Sequence, residues 1–245
     1  MANHSHTNVQ HNQFLRNRNN YRTRLQDREA ASSEAVVISA KVPLSVVLKN
    51  LRNADHDIVL QAVRELRARG CLNDNTLPWI CLRYANLQGA DLSTANLQNA
   101  DLHKANLELT NLSYSNLNYA RLTRTKLQST NLDKASWDGA NLIGANLKGA
   151  KNVSHEQLAQ AGRMRACILP DGNLYDGRFN LPGDFADASI LHVDLNNPAA
   201  IAAFYGVSLE EFLHGQEWRQ EHMPAISAWH KSVGFQNAEL IMSWF

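Results

Sequence analysis

His214, Glu217 and Glu221 fall on one face of a helical stretch with His222 beside them, and imidazoles with carboxylates at that spacing are donors that could hold a zinc ion. The set follows no established ligand pattern, and a solvated helix face accounts for the same residues, so no metal and no cofactor is assigned. Cys71, Cys81 and Cys167 are odd in number and match the spacing of neither a zinc ribbon nor a paired-thiol motif; they read as reduced thiols. The chain holds no phosphate-cradling glycine loop, no zinc-protease helix and no nucleophile elbow. Residues 152–245 show no recognisable triad or dyad. The expectation is a protein that is not an enzyme.

Cationic side chains offer a second kind of chemistry, the holding of anions. The net charge of +1 hides an uneven distribution. Residues 1–79 carry 11 Lys+Arg against 7 Asp+Glu, residues 80–151 carry 8 against 5, and residues 152–245 carry 5 against 11. Two basic blocks thus precede an acidic one. Arg16, Arg18, Arg22, Arg24 and Arg28 form a loose basic run that could meet nucleic acid or acidic lipid, or could simply be a solvated tail. Ala199–Leu213 has the layout helix, glycine turn, serine cap, helix, as in a helix-turn-helix. Its second helix opens with Glu210 and Glu211, whereas a helix facing phosphates should be basic. The plainer alternative is a helical hairpin packing on Trp218 and Trp229.

The elements that position these groups follow from pattern. Residues 1–33 are rich in Asn, His, Gln and Arg without an apolar period, and are expected to be disordered. Residues 34–79 read as a helical cap. Pro43 suits a first turn ahead of Leu44, Val47, Leu48 and Leu51. Asp55 caps a second helix carrying Ile58, Val59, Ala62, Val63 and Leu66, and Gly70 stops it. From Leu82 to Leu132 a Leu recurs at every fifth position, and Trp137, Leu142 and Leu147 continue the frame. A small residue stands two positions before each, except that the larger Ile80 precedes Leu82, and the residue between is usually Asn or Asp. A period of five fits neither a helix nor a flat strand; it is the mark of a repeat architecture. In an extended segment the small residue and the Leu point to the same side, inward, and Leu stacks on Leu from coil to coil about 4.8 Å apart.

The run ANLQGADLSTANLQNADLHKANLEL, residues 85–109, resembles the pentapeptide repeat family, and thirteen such repeats fill 85–149. The resemblance implies a mainly β solenoid, a right-handed quadrilateral β-helix with four repeats per coil, over residues 80–151. Residues twenty apart then share a face. The face built on Leu82, Leu102, Leu122 and Leu142 gathers Arg83, Tyr84, His103, Lys104, Arg121 and Arg124 outward against a single acid, Asp101. It is the expected binding surface, unless its charge gathers there by chance. Two other faces are near neutral and rich in Asn, Ser and Tyr. Residues 152–245 are expected to form a small α+β domain, with Ser154 capping a helix, Asn173–Asn180 as a strand or hairpin arm, and helices opening at Asn197 and Ser208.

The composite expectation is a non-enzymatic interaction scaffold whose partner is another protein or another copy, assembling head to tail through its basic and acidic halves. The alternative is polyanion or nucleic-acid binding through the basic tail and basic face. The resemblance also brings the family's DNA mimics that modulate type II topoisomerases, but mimicry of phosphate needs an acidic rod. No apolar run approaches the ~20 residues of a membrane-spanning helix. Ala35–Leu48 is broken by Lys41 and Pro43, and the N-terminus lacks the apolar segment of a secretory signal. A cytoplasmic location is expected.

Overall fold

The computed structural model describes residues 42–222. The segment 1–33, expected to be disordered, and residues 223–245, with Trp229, Trp244 and Phe245, lie outside the described residues.

Every backbone N–H removed from water needs an acceptor, and the coil gives one to each of the five in a repeat. In the unit centred on Leu102, the N–H groups of Leu102 and Lys104 donate forward to the carbonyls of Arg121 and Thr123, at 2.9 and 3.0 Å. Asp101 N–H donates backward to Ile80 at 2.9 Å, and Ala105 N–H closes the turn onto Leu102 at 2.9 Å. The fifth, His103 N–H, donates to Oδ1 of Asp101 at 3.1 Å. That last bond explains why Asn or Asp usually precedes the Leu. The same cap recurs at Asp91, Asn96, Asn106, Asn111, Asn116, Asn131, Asn141 and Asn146. Asn141→Ala, which strips the cap from Ile143 N–H, should lower the unfolding free energy by about 1 kcal/mol. A urea midpoint unchanged from wild type would disprove this role.

Parallel bridges join residues twenty apart, from Cys81 with Asp101 to Asn131 with Lys151, so four units make one turn of the coil. Each contact is a single bridge, and no longer strand is assigned among the described residues. The corner residue two after each Leu is left-handed: φ is 59° at Tyr84, 56° at Lys104 and 57° at Arg124. For an L-residue that conformation costs roughly 1–2 kcal/mol, and the forward bond of its N–H offsets it. At Gly139, φ 65°, a side chain would also run into Tyr119, whose ring atoms lie 2.6 Å from an added Cβ. Inside, the Leu columns are buried, each worth about 1.5–3 kcal/mol before entropy. Where Thr replaces Ala, its hydroxyl donates to a buried carbonyl: Thr110 to Leu87, Thr125 to Leu102 and Thr130 to Leu107, at 2.7–2.8 Å.

Helices α1 (Leu44–Asn50) and α2 (His56–Ala68) pack together at the N-terminal end of the coil. Asp55 caps α2 by accepting from Asp57 N–H at 2.9 Å. Val59, Ala62, Val63 and Leu66 join the Leu core, and Arg67 donates to the carbonyls of Asp91 and Ser93 at 2.9 and 3.1 Å. Pro43 stands just before α1 rather than in its first turn.

At the other end the stack continues past the last recognisable repeat. Asn141 bridges Arg163 and Asn146 bridges Ile168, now twenty-two residues apart, and Met164 and Leu169 take the buried Leu positions. The two extra residues come from α3 (His155–Ala159), which replaces one corner of the coil and carries the Ser154–Gln157 capping box. It sits beside Trp137, which fills a Leu position and donates its indole N–H to the Gln157 carbonyl. Helix α4 (Pro182–Ile190) closes the stack: Gly183 N–H donates to Gly162 O at 3.0 Å, and the buried Asp184 accepts from the N–H groups of Met164 and Arg165 at 3.1–3.2 Å. Helices α5 (Pro198–Tyr205) and α6 (Leu209–His222) pack around Tyr175, Phe179, Tyr205 and Phe212. Of the α+β expectation for this region, the described residues show four helices, one more rung of the coil and a single antiparallel bridge, Ile168 with Leu174, from the Asn173–Asn180 stretch.

Candidate functional site

The coil brings the six expected residues onto one flank. Arg83, His103 and Thr123 form one row, Asp101 and Arg121 another, and Tyr84, Lys104 and Arg124 a corner column. Asp101 organises them. Its Oδ1 is spent on His103 N–H, while Oδ2 lies 3.3 Å from Arg83 Nη1 and 3.8 Å from Arg121 Nη1. The carboxylate is buried, so what reaches solvent is guanidinium. Lys104 Nζ lies 5.5 Å and Arg83 Cζ 5.8 Å from the ring centre of Tyr84, a cation–π distance, and Tyr84 meets His103 edge to face. Neither Lys104 nor Arg124 has a carboxylate partner among the described residues. Burial of the ring, then the charges of Arg121 and Arg83, push the His103 imidazole below the ordinary histidine range. The flank is therefore positive without a contribution from histidine at neutral pH.

Two further arginines reach the same rows on the rung that the repeat pattern does not reveal. Arg163 extends the Asp101–Arg121 row and Arg165 the His103 row. Both are engaged by the cap: Arg163 Nε meets Asp187 Oδ2 at 3.1 Å, and Arg165 lies 5.0 Å from the Phe204 ring centre. Met164 and Leu169, five apart, with Cys167 small two before Leu169, are the signal that could have found them, but the two-residue insertion breaks its phase.

The other faces settle their own polarity. Asn111 Nδ2 donates to Asp91 and Asn131 Nδ2 to Asn111, both at 3.1 Å, making an amide ladder across coils. Lys134 Nζ lies 3.1 Å from the Tyr114 hydroxyl, and Lys126 lies 3.8 Å from Glu108.

The His214, Glu217, Glu221, His222 set lies along exposed α6. His214 pairs with Glu217 and His222 with Glu221, each at 4.0 Å, and no three such side chains converge among the described residues. The Ala199–Leu213 segment forms two helices joined at Gly206, φ 80°, with Ser208 and Glu211 capping each other. Trp218 of α6 packs against His155, Phe179 and Arg178 as part of the cap. No helix among the described residues is long and apolar enough to cross a membrane.

Known proteins share this coil. The profile of a family described as pentapeptide repeats (8 copies) matches residues 82–113, 90–128 and 120–151. A pentapeptide repeat protein of the cyanobacterium Cyanothece 51142 is 31% identical over 36% of this chain and 60% of its own, with a TM-score of 0.31, so this chain spans less than two thirds of that relative. A pentapeptide repeat protein of Nostoc Pcc 7120 is 30% identical over 43% of this chain and 93% of its own, with a TM-score of 0.32. QnrB1, a plasmid-mediated fluoroquinolone resistance protein, is 23% identical over 46% and 69%, with a TM-score of 0.25. No curated protein sequence matches the chain.

Proposed function

Since the chain belongs to the pentapeptide repeat family, a generally non-enzymatic family of right-handed β-helices, we propose that it is a cytoplasmic scaffold that holds an acidic protein partner, or another copy of itself, against the Arg83–Arg124 flank. Residues 80–151 supply the scaffold, residues 34–79 and 152–245 its two ends, and Arg83, Tyr84, His103, Lys104, Arg121 and Arg124 the contact. One observation carries the reading: of four cations gathered from successive coils, Arg83 and Arg121 divide one buried carboxylate, Asp101, and Lys104 and Arg124 have none among the described residues. A rigid flank of one sign steers an oppositely charged partner and fixes its register.

Labelled poly-L-glutamate tests it. The wild-type chain should bind at low ionic strength, and Lys104→Glu with Arg124→Glu should weaken binding at least tenfold. Those two exposed corner residues leave the Asp101 network intact. Equal affinity for the double variant would remove the flank from the mechanism.

Polyanion or nucleic-acid binding on the same flank is the second reading, favoured by the exposed Tyr84 ring among cations. Four phosphate contacts would give a slope of log K against log salt of about −3.6 for duplex and about −2.8 for single strands. Topoisomerase modulation by DNA mimicry fits poorly. The flank is positive, and about three and a half coils of repeat rise only about 17 Å.

A further inference from the structure

We propose that the basic flank takes the acidic cap of a second copy of this chain, with α6 as the element presented to it. The inference rests on the reading of that flank as a docking surface and names its occupant. Residues 152–222 carry 4 Lys+Arg against 10 Asp+Glu. On α6, Glu210, Glu217 and Glu221 are exposed, and Glu217 and Glu221 meet only histidines, His214 and His222, at 4.0 Å. No Lys or Arg among the described residues pairs with any of the three. The flank has the opposite shortfall: Lys104 and Arg124 have no carboxylate, and Arg83 and Arg121 divide one. Within one copy neither surface neutralises the other, and between copies they are complementary.

The route is sideways rather than end on. Helices α1 and α2 close one end of the stack and α4 the other, so copies cannot join by continuing the coil. Because the flank and α6 are different patches, the contact is heterologous, and each bound copy still offers one free surface of each sign. Such contacts close into rings or run into filaments. The attraction is between exposed charges, so salt screens it.

Sedimentation velocity of the full chain reads the proposal. At about 20 mM salt the wild type should associate as concentration rises, and at about 300 mM its apparent association constant should fall roughly tenfold or more. Two variants separate the surfaces: Lys104→Glu with Arg124→Glu reverses the flank, and Glu217→Lys with Glu221→Lys reverses α6. Each alone should stay monomeric at low salt while melting like the wild type. Mixed in equal amounts they should associate again, since both reversed contacts now match. A wild type that stays monomeric at low salt overturns the inference, as does an α6 variant that self-associates like wild type or a mixture that stays dissociated. If the wild type is monomeric yet binds poly-L-glutamate through the flank, only the second copy is lost as the occupant. If it instead binds an oligonucleotide there, the occupant is a nucleic acid and the inference fails.

Discussion

Trp137→Ala lowers the unfolding free energy by about 3–5 kcal/mol, the usual cost of emptying a buried aromatic site. The indole is fully buried where every neighbouring repeat has Leu, and it also donates to the Gln157 carbonyl of α3. Truncation therefore leaves a void at the last full coil and removes one of the two donors to the Gln157 carbonyl, which keeps the Gln160 N–H at 3.1 Å. Gln157 ties α3 down a second time, through Nε2 to the carbonyls of Leu132 and Ala135 at 3.2 and 2.9 Å, so the helix should loosen without detaching. Trp137→Leu restores the repeat frame and should recover most of the packing but not the hydrogen bond. Urea unfolding, with hydrogen exchange at residues 155–159, checks both. An alanine variant within 1 kcal/mol of wild type would show that the site collapses freely.

The second large effect is on the pH dependence of stability. Asp184 is fully buried in the first turn of α4, and burial pushes its carboxyl up to about 7, against the pull of the N–H groups of Met164 and Arg165. The charge of Asp187 pushes the same way and that of Arg163 opposes it. A folded-state value above the unfolded one means that the folded chain holds the proton more tightly. The contribution is thus fully present below about pH 4 and is lost as pH rises through about 7. Three units correspond to on the order of 4 kcal/mol across that window. Asp184→Asn removes this titration. The stability difference between wild type and variant should move in favour of the variant from pH 4 to pH 8, then level off. A difference independent of pH would mean that the carboxyl titrates in the ordinary range.

Much of the candidate site was legible in the sequence because a five-residue repeat makes spacing a substitute for coordinates. Residues twenty apart must lie on adjacent coils, so Arg83, Tyr84, His103, Lys104, Arg121 and Arg124 shared a face before any distance was known. Asp101 was visible only as one acid among cations. That it is buried, with two arginines on one oxygen and a backbone N–H on the other, depends on the path of side chains across coils. Arg163 and Arg165 escaped because α3 inserts two residues and shifts the frame, and periodicity cannot be followed through a phase change.

The sequence by itself determined the solenoid, the inward Leu columns and the polarity of each face, because these follow from local rules repeated without interruption. Nearly every Asn or Asp before a Leu caps the N–H two residues on, every small residue leaves room for the next corner, and each unit repeats its neighbour's geometry. The helix caps at Asp55, Ser154, Asn197 and Ser208 were equally local. Only the tertiary structure decided how the stack ends. The extra rung through Met164 and Leu169, the α4 closure through Asp184, and the packing of α5 and α6 around Tyr175 and Phe179 all depend on contacts between segments distant along the chain. No repeating spacing encodes those contacts, because each is made once.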